Sequence, residues 1–298
     1  MSVAIDPATV SAVTPERARR QKDPKESYRP NWTTTILLIL ASLTVLIPLY
    51  FAIAMSLKTA AEAASGTGLS WPWPMQFGNF AEAWTLTDFP RAFIISLLIS
   101  VVSVAGAIVL SSLASYAIAR NWDHRGFRYS YFYLLAAMFI PFPVIALPQI
   151  KLTAAVNLDN PLGVALLHIM FQLSFSVLLY SAFLRSIPHE LEESARIDGA
   201  TTWQVFWKLI FPLLAPMNAT VGIFAFLASW NDFMMPSLIT ADSRLQTLPV
   251  VQNIFQQQFN TEYNVAFASY LMAMAPTILV YIFAQRWVLS GVTRGAIK

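Results

Sequence analysis

The apolar residues of this chain fall in long uninterrupted runs, not in alternating or narrowly striped patterns. Six runs qualify, roughly Thr34 to Leu57, Ala92 to Ala119, Tyr129 to Ile150, Leu162 to Leu184, Leu209 to Ser229 and Val265 to Gln285. A hydrocarbon core of roughly 30 Å takes about 20 helical residues. Irregular backbone facing lipid would leave its polar groups unbonded. Each run therefore predicts a transmembrane helix, and the first is too long for the apolar part of a cleaved signal peptide. Prolines at 48, 141, 143, 148, 212, 216 and 276 fall in or beside the runs, where they remove helical hydrogen bonds and predict kinks. Kinks of this kind suit a pathway that opens alternately, and they are equally compatible with packing alone.

The polar segments between the runs set the orientation. Fifteen of the 19 Lys and Arg residues lie before the first run, after the sixth, or between the second and third and the fourth and fifth. Only Lys58, Arg91, Lys151 and Arg244 lie in the other segments. The positive-inside rule then puts both termini in the cytoplasm, which an even number of spans allows. The domain reading is a polar, mostly disordered tail over residues 1–31 and a six-span domain over 32–298, with a cytoplasmic loop at 186–208. Two outer segments, Thr59 to Pro90 with Trp71, Trp73 and Trp84, and Asn231 to Asn264 with a Gln-rich stretch, are long enough to hold structure of their own. The tryptophans fit an interfacial belt.

Composition narrows the function classes. The chain has 298 residues, 56% hydrophobic and 12% charged, which places it in a bilayer as an all-α polytopic protein. Its net charge of +3 is spread beside the runs and forms no basic face for nucleic acid. With no cysteine there is no disulfide, thiolate nucleophile or Cys-ligated metal. No G-x-x-x-x-G-K-[ST] segment exists to hold ATP. No run carries a central Asp, Glu, Lys or Arg, which argues against an ion-coupled secondary carrier. The strongly polar exceptions are His168, Gln172 and Asn218. His168 and Gln172, four residues apart, share one helix face that could line a pathway or contact another subunit. His168 also reads as a hydrogen-bonded packing residue, and it could not hold a metal alone. Phe139, Phe142 and Phe171 could stack on a sugar, with core packing as the simpler use.

The densest acidic patch, ELEESARIDGATTWQVFWKLIFPLLAP from Glu190 to Pro216, lies between the fourth and fifth runs. Pro188 suits a helix start, and Glu190, Glu192 and Glu193 then sit near the positive end of the helix dipole. Gly199 suits a left-handed stop. Thr201 followed by Gln204 reads as a capping box that opens a second helix. The predicted unit is helix, turn, helix. In the second helix Trp203, Phe206, Trp207 and Ile210 form one aromatic stripe, which could rest on the chain's own helix ends, on the membrane interface or on a partner.

Glu193-Ser194-Ala195, three residues, Gly199, then Leu209-Ile210-Phe211-Pro212 resembles the Glu-Ala-Ala loop of ABC importer permeases. It departs from that pattern at Ser194, Leu209 and Phe211, all size-tolerant changes. Asp198-Gly199-Ala200, Trp230-Asn231-Asp232, Ser115 to Arg120 and Gly291 to Lys298 are similar to segments of the carbohydrate-import branch. The chain thus resembles the MalG-type permease of a type I sugar importer. The resemblance implies a MetI-like six-span fold in a bacterial inner membrane. It also implies a second, MalF-like permease, a dimer of cytoplasmic ATPases holding ATP and magnesium, and an extracytoplasmic solute-binding protein. In this reading Glu193, Ala195, Asp198 and Gly199 couple to the ATPase, with Trp203 and Phe206 as supporting contacts. The expected cargo is an oligosaccharide, with glycerol phosphate or another polyol derivative as the alternative.

Overall fold

The computed structural model describes residues 31–65, 67–256 and 262–296, without side chains at 284 and 286–296. The expected disordered tail, the end of the Gln-rich stretch and the last two residues lie outside the described residues. Those described form helices and no strand, as the apolar runs require. The chain divides into two units at Pro48. The described part of the first is the beginning of α1 (Trp32–Ser56), whose side chains, Ile36, Leu40 and Val45 among them, are exposed.

The second unit continues with the short helices α2 (Ala60–Ser65) and α3 (Gly78–Leu86), which structure the segment between the first two apolar runs. Next come α4 (Phe89–Arg120), α5 (Arg125–Ala137), α6 (Phe142–Ala155) and α7 (Pro161–Leu184). The acidic segment forms α8 (Glu190–Ile197), α9 (Thr202–Gln204), a π-helical stretch (Val205–Ile210) and α10 (Phe211–Leu213). They lead into α11 (Ala215–Trp230). The segment between the fifth and sixth runs holds α12 (Met234–Ile239) and α13 (Leu248–Val251), and α14 (Tyr263–Ala296) closes the described chain.

Four expected spans are continuous: α1, α4, α7 and α14 over Tyr263–Phe283. The other two are not single helices. Arg125–Ala137 and Phe142–Ala155 meet at 103°, and Thr202–Leu213 and Ala215–Trp230 at 75°; the chain has six spans when each bent pair counts as one. Proline is the physical cause. Pro141 is extended at φ −71°, ψ 141°, and Pro143 falls in the first turn of α6, where its missing N–H costs nothing. Pro212 and Pro216 occupy the same kind of position in α10 and α11.

The core is organised on α4, which packs against α7 and α11, while α11 also meets α14. Ser96, Ser100, Ser103, Ala107, Ser111 and Ser115 recur at three- and four-residue spacing on α4 and are all buried. Small side chains let neighbouring backbones approach. The hydroxyls of Ser103 and Ser115 donate to the carbonyls of Ala165 (3.4 Å) and Val177 (3.3 Å) on α7. Ser96 accepts the Leu248 amide at 2.8 Å, tying the segment between α11 and α14 to α4. In the same segment Gln252 is buried and donates to Ser269.

Gly163, in the first turn of α7, has a different reason to be glycine. A Cβ there would stand 1.8 Å from the Leu158 carbonyl oxygen, a backbone atom. Gly163→Ala is therefore expected to cost about 1–3 kcal/mol through overpacking, read as a lowered unfolding midpoint of the detergent-solubilised protein.

Candidate functional site

The acidic segment folds into a helix–turn–helix elbow whose local chemistry follows the sequence closely. His189 precedes α8, and the Glu193 amide bonds back to the His189 carbonyl at 3.1 Å. Glu190, Glu192 and Glu193 fill the first turn, where the dipole favours them. Gly199 stops the helix at φ +85°. Its N–H bonds to the Arg196 carbonyl, and the Ala200 N–H to the Ala195 carbonyl, both at 3.0 Å. This is the paired arrangement of a Schellman stop. At Thr201 both halves of the capping box form: its N–H donates to Gln204 Oε1 (2.8 Å), and Gln204 N–H to Thr201 Oγ1 (3.3 Å).

What holds the elbow in place is a set of residues that sequence reasoning did not single out. Glu192 is 1% exposed. Its carboxylate accepts from Arg120 Nε at 2.6 Å and from the Tyr116 hydroxyl at 2.8 Å. Arg196 Nη2 stands 3.6 Å away on the outer side, and Arg120 Nη1 lies 3.1 Å from His189 Nε2. A buried carboxylate is tolerable only when its charge and lone pairs are met in this way. Tyr116 and Arg120 are four residues apart, so one face at the end of α4 grips α8. The signal in the sequence was the Tyr116-to-Arg120 segment, but nothing local marks Glu192 apart from the acids beside it.

The aromatic stripe divides. Phe206 (1% exposed) and Ile210 (0%) are buried with Tyr116, Tyr180 and Leu184. The Phe206 ring is 5.3 Å from that of Tyr116. Phe206 thus seats the elbow on this chain's own helix ends and presents no surface to a partner. Trp203 remains bare at 62% exposure, as does Ile197 at 86%. Glu193, Asp198 and Gly199 are exposed and Ala195 is half-buried. A hollow of about 510 Å³ opens between the two arms, lined by Ala195, Asp198, Gly199, Gln204 and Lys208 among others.

Two of the polar residues within the spans, Gln172 and Asn218, are engaged along the seam of α7 and α11. Gln172 donates to the Phe224 carbonyl at 3.1 Å. Asn218 accepts from the Tyr180 hydroxyl at 2.7 Å and donates to the Phe211 carbonyl at 3.4 Å, a backbone group at the proline bend. His168 Nε2 lies 3.5 Å from Asp232 Oδ2, just beyond the end of α11. Burial raises the Asp232 carboxyl above its ordinary value, opposed by the amides of Met235 and Met234. Phe142 and Phe171 pack edge to face at 5.9 Å, and Phe139 is exposed. Among the described residues no group of three His, Cys, Asp or Glu side chains could hold a metal.

The sequence model of binding-protein-dependent transport system inner membrane components matches residues 107–294, from within α4 into the last turns of α14, elbow included. This chain belongs to that family. As such a component it is a transport protein and not an enzyme. Curated relatives within this permease family include the multiple sugar-binding transport system permease protein MsmG of Streptococcus mutans. It is 33% identical over 88% of this chain and 95% of that protein. The melibiose/raffinose/stachyose import permease protein MelC of Bacillus subtilis is 32% identical over 89% and 95%. A chain in the crystal structure of a bacterial ABC transporter involved in the import of the acidic polysaccharide alginate superposes with a TM-score of 0.72. It covers 86% of this permease and 95% of that chain at 22% identity, so the two share the fold.

Proposed function

We propose that this permease forms half of the translocation pathway of an ATP-driven oligosaccharide importer, and that the elbow couples the pathway to a cytoplasmic ATPase. The observation that carries this reading is the two-sided elbow. One side is locked to α4 through Glu192 and Phe206; the other leaves Ile197 and Trp203 bare beside Glu193 and Asp198. Exposed apolar side chains rimmed by acids outside the spans suit a protein partner with basic residues. Glu193, Ala195, Asp198, Gly199 and Trp203 contact that ATPase, and Phe206 transmits its displacement to the helix ends. The partners are a dimer of such ATPases, a second MalF-like permease and an extracytoplasmic solute-binding protein. Both termini lie in the cytoplasm. The cargo is an oligosaccharide, as in relatives named for raffinose, diacetylchitobiose and arabino-oligosaccharides.

Glu193→Lys tests the assignment, because Glu193 is exposed and its replacement leaves the clamp intact. The variant is expected to assemble in the membrane at wild-type level yet lose uptake at least about tenfold, the effect of one charge reversal at an interface pair worth ~1.4 kcal/mol or more. Solute-stimulated ATP hydrolysis by the co-purified complex is the second readout. Wild-type uptake with normal stimulation would reject the elbow as the coupling element.

A further inference from the structure

Beside the elbow's anchor, on the same side of the membrane, a hollow of about 340 Å³ opens between the ends of α4 and α7, lined by Ile118, Ala119, Trp122, Ser181 and Arg185. Ser181 and Arg185, four residues apart, share one face of the end of α7. Ser181 is 2% exposed, yet its hydroxyl has no hydrogen-bond partner among the described residues. A buried hydroxyl left unbonded is costly, and Ser181 lines a space large enough for a ligand. The Arg185 guanidinium rests over the Trp122 ring at 5.2 Å. It forms no ion pair among the described residues. Stacking on an indole holds an arginine in place while leaving its N–H fork free for a planar or tetrahedral anion.

The geometry points to a binding site for the phosphodiester of a membrane phospholipid headgroup, with Arg185 and Ser181 as donors. Two helix C-termini nearby would ordinarily repel an anion, but several of their carbonyls are already bonded. The Ala117 carbonyl takes the amide and side chain of Asn121, and the Phe183 carbonyl takes the amide and hydroxyl of Ser186. The Leu184 carbonyl takes the Ile187 amide. Asp123, the acid next to Trp122 in the chain, is exposed and makes no ion pair among the described residues.

The walls favour a lipid over a free ion. Trp122 lies 6.2 Å from the ring of Phe132, and Phe132, Tyr129 and Tyr133 on α5 are all exposed. An apolar surface for acyl chains therefore continues from a basic, hydroxyl-bearing notch at the end of the spans, the composition of a headgroup site between transmembrane helices.

Native mass spectrometry of the full-length protein, purified with its co-purifying subunits, tests the site. The probes are phosphatidylglycerol and phosphatidylcholine of equal chain length, and inorganic phosphate. Phosphatidylglycerol is expected to remain bound after delipidation. Arg185→Gln should lower its occupancy about fivefold, the worth of one basic residue at an anionic headgroup, and lower phosphatidylcholine, whose phosphodiester is offset by its choline cation, by less. Arg185→Lys should keep most of the binding, and Ser181→Val, which fills the notch with a methyl and removes the donor, should lose it. These two milder variants keep the test open if Arg185→Gln fails to assemble. Should inorganic phosphate displace the lipid with the same dependence on Arg185, the anion site stands and free phosphate is a second source of its ligand. Equal phosphatidylglycerol retention by wild type, Arg185→Gln and Ser181→Val overturns the proposal. So does its absence from the assembled complex, where a carboxylate of another subunit would then occupy the notch.

Discussion

Arg120→Ala is expected to destabilise the protein by about 3–5 kcal/mol, the typical cost of removing one partner from a buried ion pair. Arg120 and Glu192 are 9% and 2% exposed in their side chains and 2.6 Å apart. With the guanidinium gone, the Glu192 carboxylate keeps the Tyr116 hydroxyl but only a distant, half-exposed Arg196 to balance its charge. Glu192→Ala is expected to cost less, since Arg120 can turn toward solvent and still meets the Ile187 carbonyl. The volume-matched double substitution Arg120→Met with Glu192→Leu should recover most of the loss, because two apolar side chains need no compensation in that site. Unfolding in detergent, read as a double-mutant cycle with Arg120→Ala and Glu192→Ala, checks this: the coupling should reach about 2 kcal/mol or more. Strictly additive losses would mean that the two groups do not hold α8 to α4. Uptake is expected to fall with stability in Arg120→Ala, since an unanchored α8 cannot pass displacement to α4.

Gly199→Pro is the second large effect. The residue sits at φ +85°, whereas proline holds φ near −65° and has no N–H to give the Arg196 carbonyl. The turn between the arms must then re-form at a cost of about 3 kcal/mol or more. The spans lie elsewhere, so the chain should still reach the membrane in normal amount. What should disappear is uptake, together with the stimulation of the partner ATPase by solute. Gly199→Ala, which pays only the left-handed penalty of about 1–2 kcal/mol, should be intermediate, and Gly199→Asn close to wild type. No atom of this chain lies within 4 Å of the added Cβ, so the order of these variants in unfolding stability reports backbone conformation and not crowding within the chain. Normal coupled uptake by Gly199→Pro would show that the angle of the elbow does not matter.

Several features of the elbow were legible before any coordinates because they depend on neighbours within five residues. The capping box at Thr201 and Gln204, the stop at Gly199 and the acids of the first turn are of this kind. The spans were legible for a related reason, since a run of apolar residues as long as a bilayer is thick has few other solutions. Proline predicted that some spans would bend. It did not predict bends of 103° and 75°, because the angle depends on what the two arms pack against. The serine row on α4 was also written in the sequence at helical spacing, but its meaning depends on which helices come to lie along it.

The sequence by itself determined which stretches are long and apolar enough to cross a membrane, where the acidic segment turns, and which family its motifs belong to. Hydropathy, capping and backbone conformation are local quantities, and motifs are read in order along the chain. Only the tertiary structure decided that Glu192 is the acid that faces inward, that Phe206 is buried while Trp203 is bare, and that His168 lies against Asp232. Each of these pairs a residue with another far along the chain, and adjacent acids or aromatics of equal propensity differ only once α4, α7 and α11 have closed around them.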